Sequence, residues 1–160
     1  MKKLIAILNI MILFLFACST INKSKPECLK NGKMDKVELR WGGMNYKKNL
    51  ISGYKIDAKL NLYKISQAGK NKKIKSEKIG QIDGNEFCYL INKAQAIFLK
   101  VQALKVFADS SNFIEFINPE LNSTARAIWN AKFKTFGSKE FRNLFIKLDS
   151  LITHLTQNKQ

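Results

Sequence analysis

Three cysteines, one histidine and twelve carboxylates carry whatever reactive chemistry this 160-residue chain has. A thiol or hydroxyl nucleophile needs a base within hydrogen-bond reach. The single imidazole, His154, lies near the C-terminus, far along the chain from Cys18, Cys28 and Cys88, and reads as a histidine at a fraying helix end. One histidine and widely separated cysteines do not make a zinc ligand set. The carboxylates are scattered. Asp83 and Glu86 stand where a helix would start, Asp57 lies beside a turn, and Glu115 and Glu120 flank Pro119. None of these forms the dyad that glycoside hydrolysis requires. Gly42-Gly43 lacks the Lys-Ser or Lys-Thr and the following helix of a phosphate-binding loop. Asn122-Ser123-Thr124 has the form of a glycosylation sequon and reads as a turn. These residues call for no cofactor and no metal, and the expectation is a protein that is not an enzyme.

One cysteine does sit in a chemically meaningful setting. Met1-Lys2-Lys3 is a short basic start, and Leu4 to Ala17 is apolar except for Asn9. Spanning a bilayer takes about 20 apolar residues, so this run has instead the length of the apolar part of a signal peptide. Leu15-Phe16-Ala17-Cys18 resembles the lipobox of bacterial lipoproteins, with Leu at −3 and a small residue at −1; Phe16 departs from the family's preference for a small or β-branched residue. The resemblance implies that residues 1–17 are removed, that Cys18 receives a diacylglyceryl thioether, and that Cys18 becomes the mature N-terminus. At about 0.8 kcal/mol per buried CH₂, several acyl chains hold a soluble domain firmly at a membrane. Ser19 is not Asp, so the outer membrane is the expected location.

The remaining cysteines, Cys28 and Cys88, have two readings. Outside the cytoplasm a disulfide is permitted, and a bridge would pin the N-terminal stretch to a helix 60 residues on; otherwise they are two free thiols, Cys88 being a core residue. Charge is the other strong compositional signal: 28 Lys and Arg against 12 Asp and Glu, a net +16. Of the basic residues 25 are Lys, and Lys, Asn, Ile, Phe, Tyr and Met make up nearly half the chain, the skew of AT-rich coding. Nucleic-acid binding is not expected, because arginines are few and no basic–aromatic RNA-binding motif occurs. Lysines near an anionic surface can each contribute about 1 kcal/mol, and Lys70, Lys72, Lys73, Lys75 and Lys78 are the densest cluster. They mark either a contact with anionic envelope components or a solvated hairpin. The expected partners are a membrane through the N-terminal lipid, and anionic envelope components or another envelope protein.

These residues need a scaffold, and the patterning predicts one. Residues 18–36 are polar and Lys-rich, with Pro26 and Gly32, and read as a lipidated tether. A single domain follows over 37–157. Val37 to Trp41 alternates as a strand that Gly42-Gly43 should end. The alternation from Tyr54 to Ile65 divides into two strands about a turn at Ala58 to Asn61, Gly69 to Lys75 is a hairpin tip, and Ile74 to Ile82 is a further strand. Asp83 then offers a helix N-cap. Apolar residues from Phe87 to Leu104 or Lys105 recur at helical spacing over about six turns. Phe113 to Ile117 and Ala125 to Phe133 read as strands around a turn at Asn118-Pro119, and Gly137-Ser138 opens a last helix running to Leu155. Trp41 and Trp129 fall in strand patterns as core residues. The order strands, helix, strands, helix predicts an α+β fold, an antiparallel sheet with two helices packed on one face.

Val37-Glu38-Leu39-Arg40-Trp41-Gly42-Gly43, followed by Tyr54-Lys55-Ile56-Asp57, is similar to the opening of emfourin-like proteins, small bacterial inhibitors of thermolysin-type metalloproteases. That resemblance implies the same α+β element order from about Val37 to Leu155 and an inhibitory function. Two expectations follow from the whole sequence: a lipid-anchored cell-envelope domain that binds without catalysing, or an emfourin-like inhibitor. The inhibitor should present an ordered, exposed segment around Gly42 to Asn49, and the envelope-binding module a contiguous lysine face.

Overall fold

The computed structural model describes residues 25–30, 32–69, 72–101 and 104–157. Six strands form one antiparallel sheet: β1 (Glu38–Asn45), β2 (Leu50–Asp57), β3 (Asn61–Ala68), β4 (Lys75–Gln81), β5 (Ser110–Asn118) and β6 (Ser123–Asn130). Two helices, α1 (Gly84–Lys100) and α2 (Lys139–Gln157), complete the α+β fold. The strand order is β4-β3-β2-β1-β5-β6. Two meanders therefore meet at β1, which lies between β2 and β5, with α1 making the connection between them.

Period-two patterning decides which side of the sheet is covered. Leu39 and Trp41 of β1 share a face with Ile56, Leu62, Ile114, Phe116, Ala127 and Trp129, and all are buried in one cluster with Phe87, Leu90 and Ile91 of α1 and Phe141, Leu144 and Leu148 of α2. Both helices thus pack on the same face. Trp129 meets Phe145 edge-on at 5.6 Å between ring centroids, and Phe98 meets Phe141 at 5.1 Å. The two tryptophans are core residues. Asp83 caps α1, its carboxylate accepting from the backbone N–H groups of Asn85 and Glu86.

Several local expectations are corrected. Gly42-Gly43 does not end β1, which runs on to Asn45, and β2 begins at Leu50 rather than Tyr54. Gly42 (φ +155°) faces Gly53 across the β1–β2 pair. A methyl on Gly42 would lie 2.2 Å from the Ser52 carbonyl oxygen, and one on Gly53 would lie 2.0 Å from that of Trp41. The glycines permit close strand approach in mid-sheet, not a turn. Helix α1 stops at Lys100, and Leu104 to Val106 instead runs along the outer edge of β6: Ile128 N–H donates to Leu104 O at 2.7 Å and Val106 N–H to Ile128 O at 2.9 Å. This backbone pairing outweighs the helical spacing of the apolar residues there.

The stretch over 18–36 expected as tether differs over its described part. From Lys25 onward it docks on the domain through a 3-10 turn, Glu27–Leu29, with Leu29 buried in the core. Cys28 and Cys88 are joined by a disulfide, and Asn118 donates from its side-chain amide to Lys33 O at 3.0 Å. Residues 1–17 and Cys18 lie outside the described residues. No helix among the described residues is long and apolar enough to cross a membrane.

Candidate functional site

The helices leave the other sheet face uncovered, and the strand register writes a row of charges across it. Lys55, Arg40, Glu115 and Arg126 are successive register partners on β2, β1, β5 and β6. Glu38 joins from β1. Arg40 Nη2 lies 2.5 Å from Glu38, whose other oxygen is 3.2 Å from Lys55 Nζ. Arg126 Nε–H donates to Glu115 Oε1 at 2.8 Å, with Nη2 at 2.6 Å from the same oxygen, and Arg40 Nη1 lies 3.6 Å from Oε2. Glu115 is 5% exposed. At that burial its oxygens are paired by both guanidinium groups. At the β3 end the Lys55 ammonium stands 4.7 Å above the Tyr63 ring, a cation–π contact.

The next row along the strands is apolar: Ile65, Gly53, Gly42, Phe113 and Ile128 are register partners. Ile65, Phe113 and Ile128 are buried although they lie away from the helices. The paired glycines leave a dip between Ile65 and Phe113, a slot of about 30 Å³ bordered by Arg40, Glu115 and Ile74. It adjoins a larger hollow of about 330 Å³ at the end of the sheet, lined by Met44, Tyr46, Leu50 and Ile51, the amides of Asn45, Asn49 and Gln67, and Arg126. Partial burial raises the pKa of the Tyr46 hydroxyl, and the nearby Arg126 charge opposes that rise. The hollow offers apolar walls, amide donors and acceptors, and one cation, which suits an apolar group bearing a carbonyl or carboxylate.

The other sequence-derived residues do not converge on this face. His154 is exposed near the end of α2, where it lines a separate groove with Asp83, Glu86, Lys147 and Ser150. Cys28 and Cys88 are consumed by their disulfide, so neither offers a thiol. Among the described residues no three of His, Cys, Asp and Glu gather as a metal site would require. Lys70 lies outside the described residues. Lys72, Lys73, Lys75 and Lys78 are all exposed, yet they do not form one face. Lys75 pairs with Ser66 and Lys78 with Tyr63, so the two lysines of β4 project to opposite sides of the sheet. On this edge strand they discourage pairing with another chain. Of the Gly42 to Asn49 segment, only Tyr46 to Asn49 is exposed, as an ordered hairpin tip in which Lys48 N–H donates to Asn45 Oδ1 at 3.0 Å.

Arg40, Glu115 and Arg126 were legible in sequence as polar residues alternating with apolar ones on strands. Their convergence was not, because it depends on β5 returning beside β1 after a long helical connection. Compared with known protein families and with curated proteins, the chain matches none; the likenesses to lipoproteins and to emfourin-like proteins rest on the residues quoted for them.

Proposed function

We propose that the chain is a lipid-anchored lipoprotein of the cell envelope, expected at the outer membrane, and that its domain binds a ligand or partner through the helix-free sheet face without catalysing a reaction. The observation that carries this reading is the Cys28–Cys88 disulfide in a chain that opens Lys-Lys, apolar run, Cys18. Disulfides persist outside the reducing cytoplasm, and the N-terminal pattern supplies both export and a lipid attachment point. Binding is favoured over catalysis because the buried polar groups of the open face neutralise one another. Glu115 is committed to two arginines, leaving no carboxylate poised as a base.

Expression of the full chain in a bacterial host, with intact mass measured beside Cys18→Ser, tests the anchor. The expected mature protein begins at an acylated Cys18, and the variant lacks the lipid mass. Unlipidated cleavage elsewhere would overturn the anchor and make this a secreted soluble protein. Inhibition of a thermolysin-type protease is the second reading, favoured by the ordered, exposed tip at Tyr46 to Asn49. It expects the unlipidated domain to inhibit thermolysin and Tyr46→Ala to relieve that inhibition.

A further inference from the structure

The antiparallel topology gathers one set of loops at a single pole of the molecule. The β1–β2 tip, the β3–β4 loop, the approach to β5 and the loop leaving β6 all lie there, beside the end of α1 and the start of α2. Three phenylalanines at this pole face solvent: Phe136 is 95% exposed, Phe133 66% and Phe107 61%. These are not loose ends of the chain. Phe136 rides a turn in which Ser138 N–H donates to Thr135 O at 3.3 Å, Lys139 N–H donates to Phe136 O at 3.1 Å, and the Arg142 guanidinium donates to Thr135 O at 2.9 Å. Phe107 leans edge-on against Tyr46 with 5.5 Å between centroids. A pinned turn that holds one aromatic ring out in water, with two more exposed rings beside it, marks an interaction surface.

Charge indicates what that surface meets. Lys132 and Lys134 alternate with Phe133 in the same loop, and Lys48 projects from the neighbouring tip, where Lys47 is paired with Asp109 at 2.7 Å. Carboxylates are sparse at this pole, where Asp109 and Glu140 lie. Glu27, Asp35, Asp57, Asp83, Glu86 and Glu120 lie at the opposite end. Aromatic rings flanked by lysines, on a molecule whose acids are gathered at its far end, fit the headgroup region of an anionic bilayer: rings enter the acyl boundary while ammonium groups stay among phosphates. We propose that this pole is a membrane-docking surface for an anionic phospholipid bilayer. The residues of this site are distinct from Cys18. Lys25 and Pro26 lie at the far pole, Pro26 against Gly84 at the start of α1, and α1 alone covers about 25 Å between the two ends.

The test needs no lipid anchor, so its failure is distinguishable from failure of the lipoprotein reading. A chain starting at Ser19 retains every described residue, and circular dichroism and a thermal transition check that it folds. Its co-sedimentation is measured with vesicles of mixed phosphatidylglycerol and phosphatidylethanolamine, and with vesicles of phosphatidylcholine. Expected are binding to the anionic vesicles, weakening with added salt, and a loss of at least about tenfold in Phe133→Ser/Phe136→Ser with the thermal transition unchanged. Lys132→Glu/Lys134→Glu should weaken binding comparably, whereas Lys33→Glu/Lys59→Glu, at the far pole, should not. Absence of binding, or binding indifferent to the two phenylalanines, would overturn the proposal. So would a self-associated chain that the phenylalanine variant renders monomeric while neither form binds vesicles, since the pole would then be a contact between copies.

Discussion

At the residue scale, Asp149 shows how a single polar atom can be set by what surrounds it. Trp41 is wholly buried, and its indole N–H donates to Asp149 Oδ1 on α2 at 3.0 Å. Partial burial raises the Asp149 pKa above 3.8, and the indole hydrogen bond, which favours the carboxylate, offsets part of that rise. An acid whose folded pKa is raised binds more protons folded than unfolded within the window above 3.8. Its contribution is therefore fully present below that pH and is lost as pH rises through the folded value. Asp149→Asn keeps an acceptor for the indole without a charge. It should be at least as stable as the parent at pH 7, with any advantage shrinking below pH 4, read as urea midpoints at both pH values. Asp149→Leu leaves the buried N–H unpaired and should cost about 1–3 kcal/mol. Glu115→Leu should also be destabilising, by about 3 kcal/mol, because it leaves Arg40 and Arg126 crowded without their shared anion.

At the element scale, the β1–β2 pair depends on two glycines that resemble a strand terminator when read alone. Gly42 and Gly53 face each other, and a side chain on either would collide with the partner's backbone. Gly42→Ala should therefore lower stability by about 1–3 kcal/mol, while Gly43→Ala, which meets nothing within 4 Å, should be nearly neutral in the same denaturation series. Strand β6 shows a complementary effect. Its outer edge is paired at Ile128 by Leu104 to Val106, a stretch whose apolar spacing alone continues helix α1. An unpaired edge exposes backbone donors and acceptors, and satisfying them prevailed over helical propensity. On the β3–β4 hairpin Lys75 and Lys78 are exposed and divided between the two faces of the sheet.

At the scale of the whole molecule, the disulfide ties the N-terminal segment to the body. Cys28 and Cys88 enclose 60 residues of sequence separation, for which loop-closure entropy gives about 4 kcal/mol. Against the 5–15 kcal/mol typical of a domain, that is a large share. Reduction, or Cys28→Ser/Cys88→Ser, should lower the melting temperature markedly and open residues 25–36 to protease, as followed by calorimetry and limited proteolysis. If the melting temperature did not change on reduction, Leu29 and the Asn118 contact would alone be sufficient to hold the segment.

Much of the fold was already legible in the residues. Period-two alternation turning to period 3.6 at Asp83, and back again after Asp109, dictates strands, helix, strands and helix, because each element must bury one face and those periods are the only ones that do so. The pairing of Trp41 and Trp129 with the helices follows from that same patterning. The basic start, apolar run and Cys18 are likewise local features, readable without any fold. Only the tertiary structure placed β5 beside β1, and with it brought Glu115 between Arg40 and Arg126. It also set Gly42 against Gly53, and brought Phe107 to the pole where Phe133 and Phe136 share the loop leaving β6. Those contacts join residues on different strands and loops, so no period within one element encodes them; they are decided by which strands share hydrogen bonds and by the direction in which each one runs.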